Sequence, residues 1–288
     1  MKTPHSLIEE DGIPDQDAAP GRSVEERFAR RLRVTVPTRH NEKLRTVLDA
    51  VNADDDLYGL WVASNVTAIE RLGMTDHGPV HVKIVTNIAV RLLRLLVEGG
   101  VTPGVVKHYE LQNDDAEVVV ALAALLHDLG MSIHRPNHEE YSLFLATEKL
   151  REILPLIYEP RTAAVVRADI LHAMIGHRSG GQPLTVEAGV VRIADALDMA
   201  KGRSRIPFEA GSASIHSISA AAIEAVHLTP GDEKPVKLVV EISNSAGVFQ
   251  LDQLFRDKLR GSGLEPHVEL EAKLQGDQEK TLFRSFEL

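Results

Sequence analysis

The sequence of 288 residues contains no cysteine, which excludes a disulfide scaffold, a thiolate-bound zinc or iron–sulfur centre and a cysteine nucleophile. Aromatic residues make up only 4% and include one tryptophan, so stacking surfaces for single-stranded nucleic acid are scarce. Basic residues are outnumbered, since 32 Lys and Arg face 42 Asp and Glu. The net charge of −10 argues against non-specific nucleic-acid binding and against docking on anionic lipid, but it leaves room for a locally positive site that binds a small nucleotide.

Long apolar runs are also absent. No stretch of about 18 uncharged apolar residues occurs, and the first 20 residues are acidic rather than signal-like, so we expect no membrane span and a cytoplasmic location. Hydrophobic residues at 43% and charged residues at 26% are ordinary for a soluble globular protein. The length predicts about two domains.

The composition and the periodicity divide the chain into three parts. Residues 1–40 are rich in Asp, Glu, Pro and Gly and are expected to form a flexible acidic tail. Residues 41–205 show a helical period throughout and predict an all-α domain, whereas residues 206–288 predict a small α+β domain for effector binding or dimerisation. The basic group at the end of the tail is expected to be a solvated helix face (Arg27, Arg30, Arg31, Arg33).

The helices of the central part are bounded by clear start and stop signals. Asn137 precedes Glu140 by three residues, which is a capping-box pattern, and Thr185 is a second expected N-cap. The predicted helices lie near Glu42–Leu57, Tyr58–Leu72, His81–Glu98, Ala116–Leu129, Asn137–Leu154, Pro160–Gly176 and Thr185–Lys201.

The C-terminal part has a different pattern. Its order of strand, strand, helix, strand, strand predicts a helix packed on an antiparallel sheet. The predicted strands are Ala221–Leu228, Val236–Ser243, His267–Leu274 and Thr281–Leu288, and the predicted helix is Phe249–Arg260.

A His-Asp pair ends the most apolar helix of the chain. His127 and Asp128 directly follow the run Val118–Leu126. A carboxylate at the end of such a helix must be paired, hydrogen-bonded or bound to a cation, or it costs several kcal/mol. One interpretation is a buried aspartate that accepts backbone hydrogen bonds beside a core histidine, and the other is a pair of metal ligands.

Two more polar residues interrupt apolar helices. His81 opens the helix before the pair, and Asp195 lies within the apolar run Val190–Leu197. Arg192 lies three residues before Asp195 and could neutralise it in a structural salt bridge. Together with His127 and Asp128, however, these residues supply the mixed nitrogen and oxygen donors that suit a first-row divalent ion.

At these residues the sequence resembles the HD-domain superfamily of metal-dependent phosphohydrolases. The resemblance spans roughly residues 41–205 and is carried by His81-Val82-Lys83-Ile84-Val85, by Ala123-Ala124-Leu125-Leu126-His127-Asp128-Leu129-Gly130 and by Ile193-Ala194-Asp195-Ala196-Leu197-Asp198. It implies a mainly α helical bundle whose metal is held by His81, His127, Asp128 and Asp195.

Some members of that family bind two metals through two additional histidines. His138 and His177 lie at corresponding positions, with Asp128 bridging the ions, while His134 and His172 compete for the same roles. His172 and His177 are five residues apart and would point roughly 140° apart on one helix, so only one is expected to face the site. The expected cofactor is one or two divalent ions of Mn, Mg, Fe or Co.

The resemblance implies hydrolysis of a nucleotide or nucleotide-like phosphate ester or anhydride, by attack of metal-activated water on phosphorus. Asp128 would act in catalysis with His77 or His134 as the proton donor, and Lys83 and Arg178 are expected to bind phosphate. Further substrate contacts are expected at Asp198, Lys201, Arg203 and Arg205, although Asp198 could instead hold a ligand histidine, and the three cations could simply complement a helix C-terminus.

Two other functions compete with this one. The helical scaffold could be a catalytically silent protein that senses or binds a nucleotide, or a di-iron oxygenase, since a few members of the superfamily use two irons in that way. The expected partners are a small phosphorylated substrate and, as a homo-oligomer, further copies of the chain.

Overall fold

The computed structural model describes residues 21–178, 180–198, 222–249, 251, 255–274 and 286–287. In these ranges a helical bundle is followed by a small sheet with two short helices, which confirms the predicted fold class. The bundle helices are α1 (Val24–Phe28), α2 (Glu42–Ala53), α3 (Asp55–Asn65), α4 (Pro79–Glu98), α5 (Gly104–Tyr109), α6 (Asn113–Leu126), α7 (His138–Ile153), α8 (Pro160–Gly176) and α9 (Val186–Leu197). A π turn (Val66–Arg71) extends α3, and 3₁₀ turns follow α6 (Leu129–Ser132) and α7 (Leu154–Leu156).

Helix α6 forms the centre of the bundle because its sequence is apolar on every face. Every side chain from Val118 to Leu126 is buried, and α4, α8 and α9 pack around it. Trp61 of α3 is buried against α6 and donates its indole N–H to the carbonyl oxygen of Leu125 at 2.9 Å. Each fully buried leucine of α6 stabilises the fold by about 1.5–3 kcal/mol relative to an exposed one, so this helix fixes the positions of the residues that follow it.

The structure corrects one predicted helix end and one predicted helix cap. The predicted helix Glu42–Leu57 is wrong at its end, because the carboxylate of Asp54 accepts the backbone N–H of Leu57 at 2.9 Å and thereby begins α3. Asn137 is the N-cap of α7, but its φ of 62° is left-handed and its side chain makes no capping bond. The predicted capping box is therefore wrong, whereas the cap of α9 by the side chain of Thr185 is confirmed.

Residues 21–40 pack on the bundle, so the predicted extent of the tail to residue 40 is wrong. Val34 is only 2% exposed, and the side chain of Asn52 binds both its backbone N–H and its carbonyl oxygen. Arg27, expected on a solvated face, is buried and pairs with Glu70 at 2.6 Å. Residues 1–20 lie outside the described residues.

The C-terminal sheet has the strand order β1 (Ile223–Pro230), β2 (Val236–Ile242), β3 (Val268–Leu274), β4 (Phe286–Glu287). The prediction of an antiparallel sheet is wrong for its central pair, because β2 and β3 are parallel, while the two outer pairs are antiparallel. The segment between β2 and β3 carries the helices α10 (Ala246–Phe249) and α11 (Arg256–Leu259). Such a crossover connection is what parallel neighbours require.

The inner face of the sheet shares its hydrophobic core with the bundle. Val226 and Leu228 of β1 and Leu238 and Val240 of β2 are buried in the same cluster as the helices, and Arg91 of α4 donates to the carbonyl oxygen of Leu228 at 2.7 Å. The predicted domain boundary at residue 205 lies outside the described residues. Across the described ranges, we find no helix that combines the length and the apolarity needed to cross a bilayer.

Candidate metal centre

Four histidines and two aspartates from five helices converge at one end of α6. His127 and Asp128 directly follow α6, His138 is the first residue of α7, and His177 directly follows α8. The other two members are His81 of α4 and Asp195 of α9, and among the six only Asp195 is partly exposed, at 22% of its side chain. The structure therefore brings together all six residues that the sequence analysis named as metal ligands.

Asp128 lies between two pairs of histidines. Its Oδ2 atom is 3.3 Å from the Nε2 atoms of both His81 and His127. Its Oδ1 atom is 3.2 Å from Nε2 of His138 and 3.7 Å from Nε2 of His177. The two oxygens of one carboxylate thus face two separate sets of imidazoles, as a bridging ligand would.

Asp195 completes the set around Oδ2 of Asp128. Its Oδ1 atom is 3.7 Å from Nε2 of His81 and 3.8 Å from Nε2 of His127. We call His81, His127, Asp195 and Oδ2 of Asp128 the first half of the centre, and His138, His177 and Oδ1 of Asp128 the second half. Three groups of donor atoms are close enough to share one cation: His81, His127 and Asp195 in the first half, His127, Asp128 and His177 across the two halves, and His138 and His177 of the second half with Glu139.

Each of the four imidazoles has its Nδ1 atom next to an acceptor. The acceptors are Asp198 Oδ2 for His81 at 2.6 Å, Ala124 O for His127 at 2.8 Å, Arg135 O for His138 at 3.0 Å and Met174 O for His177. We therefore assign the proton of each neutral ring to Nδ1, which leaves the Nε2 lone pairs directed at Asp128.

This arrangement fits a divalent ion. The Nε2 atoms of His81 and His127 are 3.2 Å apart, and two lone pairs at that distance repel unless a cation or a proton lies between them. Imidazole nitrogens and carboxylate oxygens are donors that first-row divalent ions accept, and the fixed Nδ1–H groups match the outer hydrogen bonds typical of metal-bound histidines.

The pKa values follow from burial and from the mutual charges of the cluster. Burial alone would raise the pKa of Asp128, but the charge and hydrogen bonds of His127, together with His138 and His81, hold it well below its usual value. Burial, with repulsion from His127, lowers the pKa of His177 to about 3. His177 is therefore neutral at pH 7, which is the form that a metal requires.

A glycine lets the second half of the centre form. The turn after Asp128 passes so close to α7 that a Cβ atom at Gly130 would collide with the carbonyl oxygen of His138 and the backbone nitrogen of Ser142. The hydroxyl of Ser142 accepts the N–H of Gly130 and donates to the carbonyl oxygen of His138, both at 2.8 Å. These contacts hold His138 beside the His-Asp pair.

The remaining predicted catalytic residues occupy different positions. His77 lies beside the centre, with its ring centroid 5.4 Å from that of His81 and its Nδ1 atom 2.7 Å from Thr75 O. Lys83 is two positions after His81 on α4, about 200° round the helix, so it does not share the face of that histidine. Arg178 is at the surface, where it pairs with Glu140 at 3.0 Å. The phosphate contact expected of Lys83 stays a prediction, and Arg178 is directed at a carboxylate.

The predicted substrate contacts are partly corrected. The side chain of Asp198 is fully buried against His81, so Asp198 holds a histidine and does not face substrate. Lys201, Arg203 and Arg205 lie outside the described residues. Of the two competing histidines, His134 is exposed, and His172 accepts the N–H of Leu184 at 3.0 Å; neither is among the residues around Asp128.

Three residues near the centre were missed by the sequence analysis. Glu139 lies 3.0 Å from Nδ1 of His138, and Nη1 of Arg135 lies 3.0 Å from the same atom. Both are close to His138 in sequence, so the proximity could have been noticed. Lys258 of α11 contacts Asp195 Oδ2 at 3.4 Å, and its distance from Asp195 along the chain left no local signal.

The alternative in which Arg192 neutralises Asp195 in a structural salt bridge is wrong. The guanidinium of Arg192 donates to backbone carbonyl oxygens, the shortest of these bonds being 2.9 Å to Arg178 O and 2.9 Å to Lys258 O. The cation in contact with Asp195 is Lys258. Desolvation would raise the pKa of the Asp195 carboxyl, but the charges of Lys258 and of the nearby histidines more than offset this and lower that pKa.

Comparisons with known proteins agree with this geometry. A family model described as HD domain matches residues 80–200, a range that contains all six residues of the centre and ends before Lys258. The uncharacterized protein MJ1020 of Methanocaldococcus jannaschii is 41% identical over 220 residues, which cover 76% of this chain and 84% of that protein. No solved structure matches the chain.

Proposed function

Because the chain belongs to the HD-domain superfamily, we propose that it is a metal-dependent phosphohydrolase acting on a nucleotide or a nucleotide-like phosphate ester or anhydride. Members of this superfamily are generally metal-dependent hydrolases. The observation that carries the proposal is the placement of Asp128, whose two oxygens face two sets of histidines. An aspartate that served only to stabilise the core would not need four imidazoles around it.

The chain offers ligands for two ions. His81, His127, Asp128 and Asp195 would hold the first, and Asp128, His138 and His177 would hold the second. Divalent ions bound there would lower the pKa of water and polarise a phosphoryl oxygen.

The other residues of the site orient groups and move protons. Asp198 fixes the ring of His81 through a charge-assisted bond, which keeps Nε2 available. His77 is half-buried beside this ring, and this position supports a role as the residue that would give a proton to the leaving oxygen of the substrate. Arg178 lies next to His177 at the surface and pairs with Glu140. If its guanidinium left Glu140 for a phosphate group of the substrate, it would bring a positive charge to that substrate.

A substrate panel tests the proposal. The protein is incubated with cyclic dinucleotides, nucleoside mono- and triphosphates and a pyrophosphorylated nucleotide, each with Mn²⁺, Mg²⁺, Fe²⁺ or Co²⁺, and the products are separated by chromatography. We expect turnover with at least one pair of metal and substrate and a loss of about a hundredfold or more in D128A, because even outer partners of metal ligands contribute about 10–100-fold.

The matched control is D49N, which changes an exposed aspartate on α2 that pairs with Arg33 at the surface. D49N should retain wild-type activity. If no condition gives wild-type activity above that of D128A, the enzyme proposal fails. Tight nucleotide binding without turnover would indicate a sensor, and two bound irons with oxygen uptake and no hydrolysis would indicate an oxygenase.

A further inference from the structure

A lysine from the C-terminal α+β segment reaches the metal centre. The Nζ atom of Lys258, on α11, is 2.8 Å from the carbonyl oxygen of His177 and 3.4 Å from Oδ2 of Asp195. One ammonium group thus contacts a residue of each half of the centre. Lys258 lies outside the range that the family model matches, so its presence at the centre is a feature of this chain's C-terminal segment.

The two oxygens of Asp195 have different partners. Oδ1 faces the imidazoles of the first half at 3.7 and 3.8 Å, and Oδ2 faces Lys258. The carboxylate of Asp195 can rotate about two side-chain bonds. A contact that holds Oδ2 therefore decides that Oδ1 is the oxygen that faces the histidines. Asp195 is the most exposed member of the centre, at 22%, and therefore has the least packing to hold it.

Lys258 itself is held firmly. Arg192, one turn before Asp195 on α9, donates to the carbonyl oxygens of Lys258 at 2.9 Å and Asp257 at 3.4 Å. Gly189 lies one turn earlier on α9, and a Cβ atom there would collide with the carbonyl oxygen of Ser262. Two contacts thus fix α11 and the turn after it against α9, the helix that carries Asp195. One is the close approach of the Ser262 backbone to Gly189, and the other is the guanidinium of Arg192.

We propose that Lys258 is a positioning residue of the metal centre, which holds Asp195 with one oxygen turned toward the histidines of the first half. This inference rests on the proposed function for the metal and the reaction. It makes the C-terminal segment part of the site, because the fold of residues 255–274 delivers the ammonium group.

A purely electrostatic role of Lys258 would change the metal affinity in the opposite direction from a positioning role. An ammonium group beside a cation site repels the cation, so its removal would strengthen metal binding if charge were its only contribution. If Lys258 positions Asp195, its removal weakens metal binding, since losing an outer partner of a metal ligand costs about 10–100-fold in affinity or activity. The direction of the change therefore separates the two roles.

The experiment measures Co²⁺ binding by the full chain, using calorimetry for the affinity and visible absorption for the coordination. We expect K258A to bind Co²⁺ about tenfold more weakly, with an altered spectrum, and to lose kcat more than it raises KM. K258R, which keeps a cationic donor, should recover most of the affinity. The control K273A removes a lysine of β3 that is 54% exposed, and it should behave as wild type.

The proposal is overturned if K258A binds Co²⁺ as tightly as wild type, or more tightly, with an unchanged spectrum. Circular dichroism verifies the fold of each variant. If K258A does not fold, the same measurements on K258M, which keeps the length of the side chain but has no N–H donor, decide the question by the same criteria. If the wild type binds Co²⁺ but hydrolyses no substrate, the proposed function fails. The Co²⁺ affinities of wild type and K258A still test whether Lys258 positions Asp195.

Discussion

The bond between Asp198 and His81 gives the sharpest prediction for the centre. The two side chains meet at 2.6 Å and are both buried, so water cannot replace either partner. In D198N the amide keeps the shape of the carboxylate but removes its charge, and its NH₂ group can donate to Nδ1. That donation would move the ring proton to Nε2, the atom that faces Asp128.

The expected magnitude follows from the cost of losing an outer partner of a metal ligand. Metal affinity should fall about 10–100-fold, which corresponds to about 1.4–2.8 kcal/mol of binding free energy. Calorimetric titration with Mn²⁺ measures the affinity, and kcat/KM on the substrate found in the panel should fall in parallel.

The control for this experiment is again D49N, which makes the same chemical change at an exposed position. If D198N binds Mn²⁺ within about twofold of wild type, a difference of about 0.4 kcal/mol, then Asp198 does not set the tautomer of His81. The assignment of its Nε2 lone pair to the centre would then be refuted.

Three further predictions concern stability. D115N should lower the free energy of unfolding by about 1–3 kcal/mol at neutral pH, because the buried carboxylate binds Lys43 at 2.6 Å. Burial would raise the pKa of Asp115, but its hydrogen bonds, above all the one to Lys43, lower that pKa below the unfolded value of 3.8. The stabilisation by the Asp115 carboxylate is therefore present above pH 3.8 and is lost as the pH falls below this value. Urea denaturation at several pH values should show that the difference in unfolding free energy between wild type and D115N shrinks in acid. G130A should lose thermal stability and Co²⁺ binding together because its Cβ meets the backbone of His138, whereas G59A, whose Cβ has ordinary contacts, should not; calorimetry of both variants checks this. Mn²⁺ at a hundred times its Kd should raise the free energy of unfolding by about 2.7 kcal/mol, and a chelator should reverse this in a thermal scan.

The sequence predicts those parts of the molecule that depend on local periodicity. The helix Pro160–Gly176 has its predicted bounds because proline begins it and glycine ends it. Helix α6 was evident from an apolar run too long for a strand. His81, His127, Asp128 and Asp195 could be named because they interrupt or end apolar helical runs and because the spacing of their motifs resembles a known family. His138 and His177 were named from that resemblance alone.

The parts that sequence analysis missed depend on the path of the chain through space. Lys258 is an ordinary charged residue of a short helix, and only the packing of α11 on α9 makes it a neighbour of Asp195. The parallel pairing of β2 and β3 follows from how the crossover returns and not from the composition of either strand. Arg27 is buried because Glu70 lies opposite, 43 residues away.

The single tryptophan gives the protein a built-in optical reporter. All indole fluorescence of the chain comes from Trp61, which is anchored on Leu125 only two residues before His127. Paramagnetic ions such as Co²⁺ quench nearby fluorophores, so filling of the centre can be followed on the unlabelled protein. The same emission reports whether the core around α6 is intact, which allows each variant to be checked for folding and for ion uptake in one cuvette.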